Sequence, residues 1–223
     1  NEEGKLEPED CISIDLGMKN LCTIYNPSGK CYIIKGKYVN NLNTYYDKLI
    51  DNLKSKNAKR KTEERQLKIN YLLQRKKNLI NNHFNLMVKR IYDLFKDKTK
   101  IIVGYNQGWK NKVHMGRKNN RAFYEIPYRK LINKLMDKFN TEKEVVVWRE
   151  ESYTSKCDAL SFEKVCKHQK YRGKRLKRGL FRSRNGQLLN ADINGAINIM
   201  RKYFAQHDLE MGDELLGDFF NPV

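Results

Sequence analysis

Three short runs of β-branched and aromatic residues lie within the first 35 residues, and they constrain the fold more than any other feature. The runs are Cys11–Leu16, Leu21–Tyr25 and Tyr32–Lys35. Segments 17–20 and 26–30 separate them and supply Gly, Asn and Pro, the residues that tight turns require. The pattern predicts an antiparallel meander of three strands.

The rest of the chain alternates helical and strand patterns. Apolar residues recur at three- and four-residue steps over about 42–97, and the charged stretch Lys54–Arg65 predicts a turn or an exposed arm between two helices. Buried strands are predicted at Lys100–Tyr105 and Lys143–Trp148, with a loop over 106–125.

The C-terminal part adds two helices and a basic insertion. Pro127 is placed for the first turn of a helix between the two strands. Residues 152–189 predict a long basic loop or hairpin. Asn190 is a candidate N-cap for a final helix, Asp192–Phe204.

The element order is β-β-β-α-α-β-α-β-loop-α. It predicts an α/β, ribonuclease-H-like fold with a mixed five-stranded sheet, the first strand central and helices on both faces. We expect one domain over 11–204, with a helical hairpin insertion at about 42–97 and a basic loop insertion at about 152–189. Residues 1–10 are a lead-in and 205–223 an acidic tail.

The chain is strongly basic. Its 223 residues include 45 Lys and Arg against 26 Asp and Glu, a net charge of +19. The excess is concentrated: residues 51–90 carry 12 basic and 3 acidic side chains, and residues 164–184 carry 10 basic and no acidic ones. This clustering favours a binding surface for a polyanion over a uniform compositional bias toward Lys.

Other classes of protein are disfavoured. The apolar runs are far shorter than the roughly 20 residues that cross a bilayer, and no signal peptide opens the chain, so a membrane or secreted protein is not expected. The five cysteines contain no CxxC pair, which disfavours a disulfide framework and favours a reducing compartment. The first residue is Asn1 rather than Met, which indicates a processed chain or a piece of a longer one.

Acidic residues stand at the ends of three predicted elements. Asp15 ends the first strand, Glu150 and Glu151 follow the last strand, and Asp192 opens the final helix. Alone, each has an ordinary explanation, as a turn residue, a surface pair and a helix-dipole partner. Together they can converge on two divalent ions, and hard oxygen ligands favour Mg²⁺ or Mn²⁺. Neighbours on a strand face opposite sides, so at most one glutamate can face Asp15.

Several motifs resemble the C-terminal half of TnpB, a family of transposon-encoded proteins also called OrfB transposases. The motifs are Ile14-Asp15-Leu16-Gly17 with Asn20, Ile102–Asn106 with Gly108-Trp109-Lys110, Glu150–Lys156, Lys177–Phe181 and Asn190–Ile199. The resemblance covers about Cys11–Phe204. It implies the RuvC-like nuclease domain of an RNA-guided DNA endonuclease, related to type V CRISPR effectors and Fanzor proteins.

The resemblance also implies a metal-binding triad of Asp15, a glutamate and Asp192. Many family members place the second acid at the end of the strand that here ends near Gly104. The chain resembles instead the branch with a rearranged glutamate on the following strand, which points to Glu151, with Glu150 second.

The zinc ribbon that many family members carry is not intact in this chain. Cys157 has no CxxC partner, and Arg182-Ser183-Arg184 occupies the second knuckle. With Cys166 and His168 the chain could supply three ligands at irregular spacing, so we expect buried or free thiols rather than zinc.

The basic stretch can contact phosphates and, through its aromatic residues, stack on unpaired bases; the alternative is a solvated, disordered loop. The predicted nucleic-acid contacts are Lys167, Lys170, Arg172, Lys174, Arg175, Lys177 and Arg178, with Lys110 from the earlier loop.

Two other hypotheses stay open beside the nuclease. A catalytically silent, repressor-like binding module would need the same basic surface, although retention of Asp15, Glu151 and Asp192 argues against it. A sugar-kinase or actin-like ATPase would use Asp15-Leu16-Gly17 as a phosphate turn, but that fold needs a second Gly-rich loop and a longer chain.

The resemblance implies partners as well. The family's N-terminal half, which grips the guide RNA, is missing from this chain. We therefore expect a DNA substrate, guide RNA bound through that missing half, no membrane partner, and weak nonspecific cleavage of single strands or none by this piece alone. The expected compartment is the bacterial cytoplasm at the nucleoid, or the nucleus if the host is a eukaryote or its virus.

Overall fold

The computed structural model describes residues 6–59, 62–105, 117–139, 144–148 and 152–209, together with 211 and 220. The strands are β1 (Cys11–Leu16), β2 (Asn20–Tyr25), β3 (Tyr32–Lys35), β4 (Lys100–Gly104), β5 (Glu144–Trp148), β6 (Lys174–Lys177), β7 (Leu180–Arg182) and β8 (Leu188–Asn190). The helices are α1 (Lys37–Lys59), α2 (Glu63–Phe95), α3 (Arg117–Glu125), α4 (Tyr128–Phe139) and α5 (Ala191–Gln206).

The main sheet contains five strands in the order β3-β2-β1-β4-β5. β1 pairs antiparallel with β2 and parallel with β4, and β4 pairs parallel with β5. With β2 on one side and β4 on the other, β1 is the central strand of the sheet. The predicted mixed α/β class is confirmed.

The two faces of β1 pack against different helices. Ile12, Ile14 and Leu16 belong to a core shared with α2 and α4. Cys11 belongs to a second core shared with α5, and the Ser13 hydroxyl donates to the carbonyl of Ala196 at 2.6 Å. The strict alternation follows from the two-residue period of a strand.

The helices α1 and α2 (residues 37–95) will be called the helical arm. The first begins at Lys37, earlier than the predicted Leu42, and the break between the helices falls inside the charged stretch Lys54–Arg65. Thr62 caps α2 by accepting a hydrogen bond from the Arg65 amide. The arm has a small core of its own around Tyr46, Ile50 and Ile69.

The prediction of loop over 106–125 is wrong for its second half, where α3 forms. The helix is stabilised by tertiary contacts: Phe123 is buried, and Arg121 pairs with Asp51 of α1 at 2.8 Å. Within α3, Arg121 also pairs with Glu125 at 2.9 Å. Local sequence does not carry this information, because the segment has a single buried aromatic and many polar residues.

Residues 152–190 will be called the basic hairpin. Turns over its first half lead into an antiparallel three-stranded sheet, β6-β7-β8, which runs directly into α5. Of the two predicted forms, loop or hairpin, the structure shows hairpin strands. None of the helices in the described ranges combines the length and the apolar character needed to cross a membrane.

Candidate active site

Asp15 lies at the end of the central strand, opposite Thr23 of β2. Because Ser13, two residues earlier, contacts α5, the side chain of Asp15 faces the same helix. A Cβ built on Gly195 of α5 would lie only 2.8 Å from Asp15 Oδ2. The carboxylate therefore occupies the space that a side chain at position 195 would fill.

Asp192 lies in the first turn of α5. The Asn190 side chain accepts hydrogen bonds from the amides of Asp192 and Ile193, so the predicted N-cap is confirmed. Asn20 Nδ2 donates to Asp192 Oδ2 at 2.7 Å, and an Arg175 guanidinium nitrogen donates to Asp192 Oδ1 at 3.2 Å. Each carboxylate oxygen of Asp192 thus accepts a hydrogen bond from a different element.

The two acids lie on the same side of the fold. Asp192 and Gly195 are three residues apart on α5, and such positions share a helix face with Cβ atoms about 5–6 Å apart. The Asp15 carboxylate contacts this face at Gly195, and the turn that follows β1 reaches Asp192 through Asn20. The first strand and the last helix thus bring Asp15 and Asp192 to the same side of the fold, and their sharing of a metal ion stays a prediction.

The chemistry of this corner fits a hard divalent cation. Two carboxylates approach from separate elements, and such oxygen ligands suit Mg²⁺ or Mn²⁺. Glycine within a helix lowers stability by about 0.5–1 kcal/mol relative to alanine. At position 195 the missing side chain leaves the space that the Asp15 carboxylate occupies. Thr23 Oγ1, opposite Asp15, is buried and has no hydrogen-bond partner among the described residues.

Other predicted members of the site fall outside the described residues. These are Glu150, Glu151 and Lys110. Within the described residues no group of three His, Cys, Asp or Glu side chains is close enough to hold a metal. Gly104 ends β4 and pairs with Trp148 of β5, so β5 is the strand that leads toward the two glutamates.

The negative charge of Asp15 also affects groups on the other face of the sheet. Burial, and to a smaller extent the charge of Asp15, raises the pKa of the Cys22 thiol. Burial likewise raises the pKa of the Tyr128 hydroxyl, with contributions from Cys22 and Asp15. Both groups are therefore neutral at ordinary pH.

A cavity of about 660 Å³ opens beside Asp192. Its lining residues are Gly17, Met18, Lys19, Asn20, Arg175, Arg178, Gly179 and Asp192. Three of these side chains are cationic and exposed, and two positions are glycines without side chains. A basic, open cleft next to a carboxylate pair can take an anionic backbone.

The predicted nucleic-acid contacts of the basic hairpin divide into three groups. Arg175 and Arg178 line the cavity, and Arg175 pairs with Asp192. The side chain of Arg172 donates to the Ser161 carbonyl at 3.2 Å. The others are exposed without lining the cavity: Lys167, Lys170, Lys174 and Lys177.

Two buried acids that shape the basic hairpin are absent from the sequence predictions. Asp158 accepts hydrogen bonds from the Ser183 hydroxyl at 2.7 Å and the Arg184 amide at 2.8 Å. Glu163 accepts from the amides of Asp158 at 2.8 Å and Arg172 at 2.9 Å. The signal was present: these acids stand just before, and at the edge of, a 21-residue stretch (164–184) that contains none.

All five cysteines are free thiols. Burial raises the pKa of Cys11 to about 12, and burial also raises the pKa of Cys157. Cys157 Sγ donates to the Cys166 carbonyl, and Cys166 Sγ lies 3.5 Å from His168 Nε2. Of Arg182-Ser183-Arg184, the segment that the resemblance places at a second zinc knuckle, the Ser183 hydroxyl and the Arg184 amide donate hydrogen bonds to Asp158.

Two solved structures of Cas12f complexes have a similar fold. One is titled "Cryo-EM structure of the Cas12f1-sgRNA-target DNA complex", with a TM-score of 0.59, 19% identity and coverage of 88% of this chain and 50% of that one. The other is titled "Cryo-EM structure of CRISPR-Cas12f Ternary Complex", with a TM-score of 0.60, 18% identity and coverage of 88% and 39%. The chain thus spans half or less of the proteins whose fold it shares.

The sequence comparison finds one matching family model. Residues 1–110 match the OrfB_IS605 family, described as a probable transposase. This match over just under half of the chain is consistent with the relationship to the TnpB family that the motifs predict. No curated protein matches the chain in sequence.

Proposed function

We propose that the chain is the nuclease part of an RNA-guided DNA endonuclease of transposon origin, and that it hydrolyses phosphodiester bonds with bound Mg²⁺ or Mn²⁺. The observation that carries the proposal is the contact of Asp15 with α5 at Gly195, one turn from Asp192, beside a basic cavity. The relationship to TnpB and the fold of the Cas12f structure titled with sgRNA and target DNA support it.

The finer description of the fold belongs to the same proposal. The strand order supports a ribonuclease-H-like, RuvC-type domain over residues 11–204. The helical arm and the basic hairpin would be insertions in this domain, and residues 205–223 an acidic tail. DNA would be the substrate, and guide RNA would be held chiefly by the N-terminal half of the intact protein, in the bacterial nucleoid or a nucleus.

In this proposal Asp15, Asp192 and Glu151 would hold two divalent ions, with Glu150 as the second choice for the glutamate. Divalent ions at such a site supply a nucleophilic water and neutralise the leaving oxygen. Asn20 fixes the orientation of Asp192 through Oδ2. Lys19 and Arg178 attract the DNA backbone into the cavity, where Gly17 and Gly179 leave room for it.

The direct test is cleavage of labelled single-stranded DNA in Mn²⁺. Asp192→Asn keeps the size of the side chain and removes its charge, so we expect cleavage to fall to the level without enzyme. Asp137→Asn, an exposed acid on α4, is the matched control and should cleave like the parent chain. Equal cleavage by Asp192→Asn and the parent would show that the activity is a contaminant.

The choice of glutamate has its own test. Adjacent residues of an extended segment face opposite sides, so we expect only one of the two glutamates to join Asp15. We expect Glu151→Gln to abolish cleavage and Glu150→Gln to retain most of it, measured in the same assay. The reverse result would assign the ligand to Glu150 and leave the rest of the proposal intact.

One observation favours the catalytically silent alternative. Both oxygens of Asp192 already accept hydrogen bonds from protein donors, as in an ordinary structural ion pair. A binding module of this kind would retain single-stranded DNA at low salt but take up no Mn²⁺. Spectroscopic titration with Mn²⁺ therefore distinguishes the two functions without any measurement of activity.

A further inference from the structure

The two hydrogen bonds to Asp192 differ in how firmly they are held. Asn20 is partly buried at the start of β2, and its turn is closed by bonds from the Gly17 amide to the Leu21 carbonyl and from the Gly36 amide to the Lys19 carbonyl. A Cβ at position 17 would lie 2.7 Å from the Asn20 carbonyl, so this turn is closely packed. The Asn20 contact is part of the rigid sheet.

Arg175 is placed quite differently. All four residues of β6 are exposed, and the pairing of β6 with β7 is irregular between Arg175 and Lys177. The Arg175 side chain is 44% exposed and that of Asp192 30%. An ion pair with this exposure is weak and is screened by salt, so Arg175 can leave Asp192 while Asn20 stays.

We infer that Arg175 is an exchangeable counter-ion that couples metal binding at Asp192 to binding of a phosphate backbone. The inference rests on the proposed function in taking Asp192 as a metal ligand. A guanidinium and a divalent cation compete for Oδ1, so the arginine must leave before that oxygen is available. Asn20 keeps Oδ2 and acts as the positioning residue in both states.

A nucleic-acid phosphate is the group suited to remove Arg175. Guanidinium binds phosphate with two parallel hydrogen bonds, a geometry that a single 3.2 Å contact to one carboxylate oxygen does not offer. Arg178 and Lys19 line the same cavity and draw the phosphate toward it. Without nucleic acid, Arg175 protects Asp192; with it, the carboxylate is released next to the phosphate.

This exchange predicts a reciprocal coupling. If phosphate binding frees Asp192, it raises the affinity for the divalent ion, and the ion raises the affinity for the phosphate by the same factor. Couplings of this kind are typically about 5–150-fold. The arrangement would keep the isolated site poorly loaded with metal and thereby limit cleavage in the absence of bound substrate.

The test measures Mn²⁺ affinity by electron paramagnetic resonance of the free ion, with the full chain. Arg175→Gln and Arg178→Gln remove the same charge from the same cavity, but within the described residues only Arg175 pairs with Asp192. We expect Arg175→Gln to bind Mn²⁺ about fivefold or more tighter than Arg178→Gln. Circular dichroism would check that both variants are folded.

A second experiment repeats the Mn²⁺ titration with oligothymidylate that has either a phosphorothioate or an uncharged methylphosphonate backbone. The Mn²⁺ bound by each oligonucleotide alone is measured separately and subtracted. The charged backbone should tighten Mn²⁺ binding by the parent chain, the uncharged one should not, and Arg175→Gln should respond to neither. Equal Mn²⁺ affinities for the two Gln variants, or an unchanged response in Arg175→Gln, would overturn the inference.

Failure of the inference can be distinguished from failure of the proposed function. Asp192→Asn should lose Mn²⁺ binding whether or not Arg175 exchanges. If Asp192→Asn binds Mn²⁺ like the parent chain, Asp192 is not a ligand and both proposals fall. If it loses binding while the two arginine variants agree, only the role of Arg175 is removed.

Discussion

The helical arm and the basic hairpin contain nearly equal clusters of positive charge but are built in different ways. Residues 51–90 and 164–184 carry net charges of +9 and +10. The arm consists of helices of 23 and 33 residues that pack on each other through apolar side chains. The hairpin has strands of only three or four residues, and among the described residues it is the region whose cation, Arg175, forms an ion pair with Asp192. Net charge therefore does not locate the site.

The hairpin compensates for its short strands with buried carboxylates. Asp158 is fully buried and Glu163 nearly so. Together they accept hydrogen bonds from the Leu160, Arg172 and Arg184 amides and from the Ser183 hydroxyl, and they join parts of the chain up to 26 residues apart. A network of this kind is stable only while all its members are paired.

The largest difference between the regions should therefore be in stability. Asp158→Ala removes a buried acceptor that holds both sides of the hairpin, and we expect it to lower the free energy of unfolding by about 3 kcal/mol or more. Asp51→Ala in the arm breaks the half-exposed pair with Arg121 and should cost about 0–1 kcal/mol. Urea denaturation followed by circular dichroism measures both.

A local readout separates loss of the hairpin from loss of the whole fold. Hydrogen exchange of the Leu160, Arg172 and Arg184 amides should accelerate in Asp158→Ala before amides of β1 do, because these are the groups that the two acids hold. Similar costs for Asp158→Ala and Asp51→Ala would show that the hairpin does not depend on its buried acids.

The two regions should also differ in how much they contribute to the affinity for nucleic acid. Replacing Lys174, Lys177 and Arg178 by Gln removes charge at or beside the cavity, and we expect about a tenfold loss of affinity for single-stranded DNA near physiological salt. The matched arm variant replaces three exposed lysines of α2: Lys68, Lys77 and Lys89.

The arm variant should lose less than about threefold, because its charges are spread along a helix that is longer than the roughly 8 Å over which charges interact at that salt. Fluorescence anisotropy at several salt concentrations gives affinity and salt slope together. A loss in the arm equal to that in the hairpin would make the arm a binding surface of the same rank.

The same contrast explains what the sequence can and cannot predict. The bounds of β1 and β3 and the Asn190 cap are set by local patterns, and the structure agrees with them. The α3 helix packs through the buried Phe123, and its Arg121 contacts Asp51, 70 residues away; no local pattern records these contacts.

The residues of the candidate site also differ in whether the sequence can predict them. Asp15 and Asp192 could be predicted because they stand at element ends, where sheet topology brings them together. The pairing of Arg175 with Asp192 could not, since it depends on how the irregular β6 strand lies against the cavity. The role of Asp158 could not be predicted for a related reason, because the sequence around a single acid in a polar stretch does not indicate that the acid is buried.

The smallest predicted effect concerns pH and the arm. The ring of His83 of α2 lies tilted against that of Tyr38, with ring centroids 4.6 Å apart, and its Nε2 is buried without a partner among the described residues. Burial lowers the pKa of His83 below its usual value near 6.5. The folded chain therefore favours the neutral ring, and this contribution to stability is complete above about pH 6.5 and is lost as the pH falls toward the folded-state pKa.

Protonation of His83 would place a charge in a buried position, so acid should destabilise the folded arm. We expect the melting temperature of the parent chain to fall more steeply between pH 7.5 and 5 than that of His83→Gln, because Gln cannot titrate. Asn82→Gln, one position earlier and exposed, is the control and should follow the parent chain. Identical pH profiles for His83→Gln and the parent would mean that the imidazole protonates without disturbing α2, and that apolar packing alone determines how the arm responds to acid.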